Sequence, residues 1–356
     1  MTQEAYGVLD YDVFVGIDTS RNSFAVTVLD HYGLEKTKKI PSDPENLHQY
    51  IQRVHSGKKV LYGYEAGPTG YGLRDYLRGA GERCMVIAPY NIGRGRNERV
   101  KTDRIDSKKI ATVLRAAEVK EIRVPEGAYR ELRHLVKIRE SYSKLQTQSK
   151  LRIKSILLLE NLYIQLPEEG KRWSNRFIRC LEQFIARTST AASKRIAAYM
   201  NDLKYSRQQL SDATRELKIY SAGKETIRQN LDYIESIPGI GFITAVTILS
   251  SIGDPKGLRG VREMGSFCGL VPCERSSGEQ IRRGEITHTG SRRLRTLLVE
   301  SAWIAIQKDV GLRRFFESLY RRSSSKQKAI VAVARKLSMR ICSVLRESRP
   351  YKLATV

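Results

Sequence analysis

Four carboxylates stand where metal-dependent phosphodiester chemistry would need them. Asp18 ends the apolar run VFVGID, Glu65 stands next to last in KVLYGYEA, and Asp103 and Asp106 lie in KTDRIDSKKIATVLRAA. The i, i+3 spacing of the last two puts them on one face of a helix. Acids gather at helix amino termini for macrodipole reasons alone. Their position beside strand ends, in a very basic chain, is what carries the functional reading. Four hard oxygen ligands suit Mg²⁺ or Mn²⁺. Two such ions roughly 4 Å apart can activate a nucleophile and stabilise a leaving oxygen.

A second constellation is Ser276-Ser277-Gly278, with Arg275, Arg282, Arg283, Arg292, Arg293 and Arg295 nearby. Serine before glycine in a loop is ordinarily turn chemistry. The arginines change its setting, because a phosphoryl centre needs cationic donors and serine can serve as a covalent nucleophile. His288 is close in sequence but has no legible partner acid, so it reads as a loop residue or phosphate contact. Further cations, Arg94, Arg96, Lys101 and Arg104, flank the acidic site. Eighteen tyrosines offer stacking surfaces for unpaired bases, although core packing claims most such residues.

The elements that must position these groups fall into three regions. Residues 11–125 read as α/β: VFVGID and FAVTVLD as a hairpin, LEKTKKI as a third strand, then helix, strand (59–66), helix and strand (84–89). That order is expected of a ribonuclease-H-like sheet, in which the strands ending in Asp18 and Glu65 are neighbours. From 128 to 236, Leu132, Leu135, Ile138, Tyr142 and Leu145 recur at spacings of three and four. This seam predicts a helical hairpin or coiled coil, with a plain bundle as the alternative. The third region opens on Ile237-Pro238-Gly239-Ile240-Gly241, a turn between two helices that reads as a helix-hairpin-helix element or an ordinary connection. A polar loop then leads into basic helices. The expected fold class is α/β plus α: domain 1–127, helical connector 128–236 and a mostly helical domain 237–356.

The formal charge of +25 on 356 residues argues for a polyanionic partner. With 41% hydrophobic residues, sizeable cores can form. No apolar stretch approaches the roughly 18 residues of a membrane span, and the opening residues lack the basic charge of a secretory signal. The expected setting is therefore cytoplasmic and nucleoid-associated, without a membrane partner. Five scattered cysteines read as reduced thiols, not as zinc ligands.

Taken in order, GIDTS, YEAGPTGYGL, KTDRIDSKKIA, IPGIGFITAVTILSSIGD and GLVPCERSSGE…HTGSRRLRTLLVESAW resemble the insertion-sequence-110 family of transposases over nearly the whole chain. The resemblance implies a RuvC-like domain whose DEDD carboxylates are Asp18, Glu65, Asp103 and Asp106. It also implies a coiled-coil connector and a carboxy-terminal domain with a serine nucleophile. Ser277, which Gly278 follows directly, matches that serine; Ser276 stands where the family has glutamine. Further implied are a guide (bridge) RNA pairing with donor and target double-stranded DNA, a phosphoserine intermediate, and a homo-oligomer, dimer to tetramer, with composite active sites. Two alternatives are a RuvC-like nuclease or junction resolvase that uses water, and a non-catalytic nucleic-acid-binding protein.

Overall fold

The structure, a computed structural model, describes residues 7–33, 35–89, 102–119, 121–162, 173–258, 260–274, 283–287 and 289–353. It divides into two compact units, Met1–Val124 and Pro125–Val356.

The first unit is a five-stranded sheet with helices on both faces. Its strands are β1 (Val13–Thr19), β2 (Ser23–Asp30), β3 (Glu35–Pro41), β4 (Val60–Glu65) and β5 (Arg83–Ile87). They lie in the order β3-β2-β1-β4-β5, with β1, β2 and β3 antiparallel and β1, β4 and β5 parallel. Alternate residues of the strands face opposite cores. Val13, Val15, Ile17, Tyr62 and Tyr64 pack with Leu47 and Ile51 of α1 (Pro44–Val54) and Leu73 and Leu77 of α2 (Gly72–Gly79). Phe14, Leu61, Met85 and Ile87 pack with Ile110 and Leu114 of α3 (Asp103–Arg115). Because both faces are covered, β1 and β4 read as continuous apolar runs. Asp43 caps α1 by accepting from the Glu45 amide at 3.0 Å, and Pro44 pre-sets the first turn. Buried Glu121 gathers Arg78 Nη2 at 3.0 Å, Arg83 Nη2 at 3.2 Å and Arg74 Nε at 3.4 Å, tying α2 and β5 to the segment after α3.

The second unit is mostly helical: α4 (Gly127–Leu159), α5 (Asn175–Arg187), α6 (Ala191–Ala222), α7 (Glu225–Glu235), α8 (Phe242–Ile252) and α9 (Val261–Phe267). The short hairpin of β6 (Pro272–Glu274) and β7 (Arg283–Ile286) follows, then α10 (Arg292–Lys308), α11 (Val310–Ser323) and α12 (Lys326–Glu347). One core joins Leu132 and Val136 of α4 to Leu217, Leu249, Leu298 and Ile341. A separate core forms where Ile153 and Ile156 of α4 and Leu203 of α6 meet Phe177 and Leu181 of α5.

The expected α4 seam differs from the buried stripe. Leu132, Val136, Glu140, Ser149, Ile153 and Ile156 are buried, whereas Ile138 is 44% exposed. Two polar residues disguise the stripe in sequence. Ser149 satisfies its hydroxyl by donating to the Leu145 carbonyl at 3.0 Å, and Glu140 meets Lys137 at 3.0 Å and Arg293 at 3.2 Å. The stretch from Phe267 expected to be a polar loop before α10 contains the β6–β7 hairpin. The LPEEGKRWSNR stretch (166–176), whose composition reads as a turn, lies largely outside the described residues. Among the described residues no helix is long and apolar enough to cross a membrane. The five cysteines are free thiols, with Cys84, Cys268 and Cys342 buried.

Candidate active site

The register of the central strands sets the site. β1 and β4 run parallel with Gly16 opposite Gly63 and Ile17 opposite Tyr64, so the next row brings Asp18 level with Glu65. Both side chains fall on the face of Gly16 and Gly63, two residues back along each strand. That is the face α3 covers. A Cβ at Gly16 would lie 2.2 Å from the Ser107 carbonyl oxygen, and one at Gly63 would lie 2.8 Å from Leu114 Cδ1. At the other end of α3, Arg115 Nη1 donates at 3.2 Å to the carbonyl of Asp30, which pairs with Val13 at the start of β1, so α3 ends over the strand starts. The first turn of α3, with Asp103 and Asp106, accordingly points toward the strand ends that carry Asp18 and Glu65. Asp18, Glu65 and Asp106 are half-buried and Asp103 is exposed.

Local bonds hold this end of the unit. Thr102 caps α3, accepting from the Ile105 amide at 3.4 Å. Ser107 Oγ lies 2.8 Å from Thr27 Oγ1 on β2, both residues fully buried, and also donates to the Arg104 carbonyl at 3.0 Å. Thr19 Oγ1, beyond Asp18, lies 2.8 Å from Thr69 Oγ1, beyond Glu65. Tyr64 OH donates to the Gly70 carbonyl at 2.9 Å, pinning the same loop. Lys109 Nζ stands 3.9 Å from Asp106 Oδ1. Among the described residues, no group of three or more His, Cys, Asp and Glu side chains is arranged to hold a metal ion. The four carboxylates thus share a sheet end and a face without forming a ready cage. As a set of acidic oxygens the donors suit a hard divalent cation.

Ser276, Ser277, Arg275 and Arg282 lie outside the described residues, as do Arg94, Arg96, Lys101 and His288. Their flanks are clear. Arg283 opens β7, which pairs with β6 so that Pro272 faces Ile286, and residues 275–282 connect the two strands. Arg104 is exposed on the first turn of α3. Ser291 caps α10, whose first turn carries exposed Arg292 and Arg293. Arg293 Nε donates to Glu140 Oε1 at 3.2 Å, and Arg295 Nη1 to the Cys268 carbonyl at 3.2 Å. Gly269 and Gly290 allow that approach, since a Cβ at Gly290 would lie 2.3 Å from the Gly269 amide. The Thr27–Ser107 clamp and the Gly269–Gly290 contact escaped the sequence reading. For Gly269, a glycine inside the apolar run FCGLV was the available signal.

A sheet of this order, with acids at the ends of its paired central strands and at the start of the helix above them, is consistent with a ribonuclease-H-like DEDD domain. Residues 15–162 match the family profile of the DEDD transposases, described as "Transposase", and residues 231–317 match that of the "Transposase IS116/IS110/IS902 family". Among similar proteins, the y4qE protein of Sinorhizobium fredii, which carries a provisional transposase name, is 28% identical over 83% of this chain and 73% of its own. The transposase for insertion sequence element IS1111A of Coxiella burnetii is 25% identical over 95% and 91%, respectively. The transposase for IS1533 of Leptospira borgpetersenii is 23% identical over 95% and 97%. The chain belongs to the IS110 family of insertion-sequence transposases, enzymes whose substrate is DNA. The DEDD match also points to a divalent metal ion.

Proposed function

We propose that this transposase exchanges DNA strands with Asp18, Glu65, Asp103 and Asp106 acting on the scissile phosphate and Ser277 as the attacking group. The observation that carries the reading is the in-register placement of Asp18 and Glu65 beneath the first turn of α3. Four carboxylates brought to one sheet end repel one another and favour a cation between them. Asp18, Glu65, Asp103 and Asp106 would hold Mg²⁺ or Mn²⁺, which supplies Lewis-acid polarisation of the phosphate oxygens.

The Ser277 hydroxyl attacks phosphorus. Its Oγ–P bond forms as one P–O bond of the DNA breaks, and the departing oxygen ends as a hydroxyl carrying the proton serine loses. The phosphoserine link keeps the bond energy, so rejoining to a new hydroxyl reverses the step without ATP. Arg275, Arg282, Arg283, Arg292, Arg293 and Arg295 are the cations available around that phosphate, while Arg94, Arg96, Lys101 and Arg104 serve DNA beside the carboxylates.

The reading extends to a guide RNA that pairs with donor and target duplexes. The protein then reads backbone shape and charge, consistent with a net charge of +25. It further includes an oligomer, dimer to tetramer, in which one subunit's carboxylates work with another's serine. The long α4–α6 hairpin would act as the coiled-coil connector and the α7–α8 turn as a helix-hairpin-helix contact to phosphate, in a cytoplasmic, nucleoid-associated enzyme.

Ser277→Ala is the deciding variant. Loss of strand exchange and of the covalent DNA adduct is expected, with Ser276→Ala retaining both. Continued cutting by Ser277→Ala would instead mean a water-dependent nuclease. Co-purified RNA, sequenced and complementary to both DNAs, is the expected sign of guidance.

A further inference from the structure

One face of the second unit exposes aromatic rings among unpaired cations. Trp303 and Ile304 of α10 are 40% and 46% exposed, and Tyr320 of α11 is 38% exposed. Phe316 and Tyr320, one helical turn apart on α11, have nearly parallel rings (14°) with centroids 6.2 Å apart. Trp303 meets Phe316 edge-on at 5.8 Å, and Lys326 Nζ stands 6.0 Å from the Tyr320 ring. The result is a continuous row of π surface reaching from α10 to the start of α12. Large aromatic rings ordinarily dominate cores and interfaces, so Trp303 and Tyr320, left exposed on either side of a half-buried Phe316, point to a partner.

The charge of the surrounding segment selects the class of partner. Residues 313–328 hold six cations, Arg313, Arg314, Arg321, Arg322, Lys326 and Lys328, against one carboxylate, Glu317. Arg313 is engaged, donating to the Ile306 and Gln307 carbonyls at 3.0 and 2.7 Å and so closing the end of α10. Arg314, Arg321, Lys326 and Lys328 form no ion pair among the described residues. A second copy of this face would bring like charges together, which is costly. A duplex offers phosphates but keeps its base faces stacked inside. An unpaired strand offers both phosphates and free π faces, the combination that single-strand grooves use. Breaking and rejoining DNA exposes such a strand.

We propose that Trp303, Phe316 and Tyr320 form a stacking platform for an unpaired DNA strand, with Lys326 against its phosphates. The inference does not depend on Ser277 or on the carboxylates.

The test uses the full chain and fluorescence anisotropy with labelled oligothymidine, oligouridine and duplex DNA at several salt concentrations. Trp303→Ala and Tyr320→Ala should each weaken oligothymidine binding by roughly tenfold. Trp303→Phe should keep most of it, and duplex affinity should stay within about twofold. Lys326→Gln should flatten the salt dependence by roughly one in log–log slope. Wild-type tryptophan fluorescence should be quenched by oligothymidine, and Trp303→Phe should lose that quench although Trp173 remains. Circular dichroism melts establish that each variant folds; Trp303→Phe and Tyr320→Ala carry the test if Trp303→Ala does not. Unchanged single-strand binding, or equal losses for duplex and single strand, would overturn the proposal. So would losses confined to oligouridine, which would mean an RNA occupant, or a change in sedimentation on Tyr320→Ala, which would mean a second copy.

Discussion

Gly16 of β1 and Ala111 of α3 approach so closely that a Cβ on residue 16 would lie 2.3 Å from the Ala111 amide nitrogen. The clashing atoms are helix backbone, which cannot swing aside as a side-chain tip can. Gly16→Ala must therefore lift α3 from the sheet, carrying Asp103 and Asp106 away from Asp18 and Glu65. A loss of about 1–3 kcal/mol is expected by urea unfolding, with a fall in strand exchange greater than the stability loss explains. Full activity in a folded Gly16→Ala protein would show that the carboxylates do not work together.

Ser107→Ala tests the clamp on the same turn. Thr27 keeps Thr37 Oγ1 at 3.1 Å after the change, so its hydroxyl is not orphaned. The cost is two hydrogen bonds, with Thr27 and to the Arg104 carbonyl, about 1–3 kcal/mol together. It should appear as a lower urea midpoint with an unchanged slope.

The strand order was legible because β1 and β4, covered on both faces, spell their burial as unbroken apolar runs ending at Asp18 and Glu65. The match of Gly16 to Gly63 follows from pairing, a long-range property that no local pattern records. The helical region was legible as helix but not as packing. Glu140 and Ser149 lie in the buried stripe of α4, and their partners, Arg293 and the Leu145 carbonyl, are invisible to periodicity. The β6–β7 hairpin was missed because its strands span only three and four residues and hold Pro272 and Gly284.

Metal binding should be measurable apart from catalysis. A ligand that binds only the folded state at a hundred times its Kd stabilises by about 2.7 kcal/mol. Mn²⁺ should therefore raise the unfolding midpoint of the whole chain, and EDTA should reverse the rise. Asp18→Asn and Glu65→Gln should each remove most of that shift while leaving the metal-free melt nearly unchanged. A Mn²⁺ shift that survives both substitutions would place the ion elsewhere.

Thiol labelling reports the two cores. Burial pushes the Cys268 thiol up to about 12, despite the opposing charge of Arg295, and raises that of Cys84 as well. Neither forms thiolate near neutral pH. A thiol-specific reagent should therefore label only half-buried Cys180 and Cys273 in the native protein, and all five cysteines once it is unfolded.

Asp309 should make the second unit acid-sensitive. Its Oδ1 caps α11 at the Leu312 amide, 2.9 Å away, and its Oδ2 accepts from Arg340 Nη1 at 2.7 Å, joining α11 to α12. Burial alone would raise its pKa, but the Leu312 amide, the Arg340 guanidinium and the Gly311 amide together outweigh that and hold it below the ordinary value. The unfolded chain, with an Asp pKa of about 3.9, then binds more protons than the native one as acid is added. The stabilisation is complete above that value and is lost as the pH falls toward the lower native pKa. Asp309→Asn keeps a capping oxygen but removes the charge facing Arg340, at a cost of about 2 kcal/mol at neutral pH. The gap between wild type and variant in urea should close on titration below about pH 4. A gap independent of pH would assign the effect to packing alone.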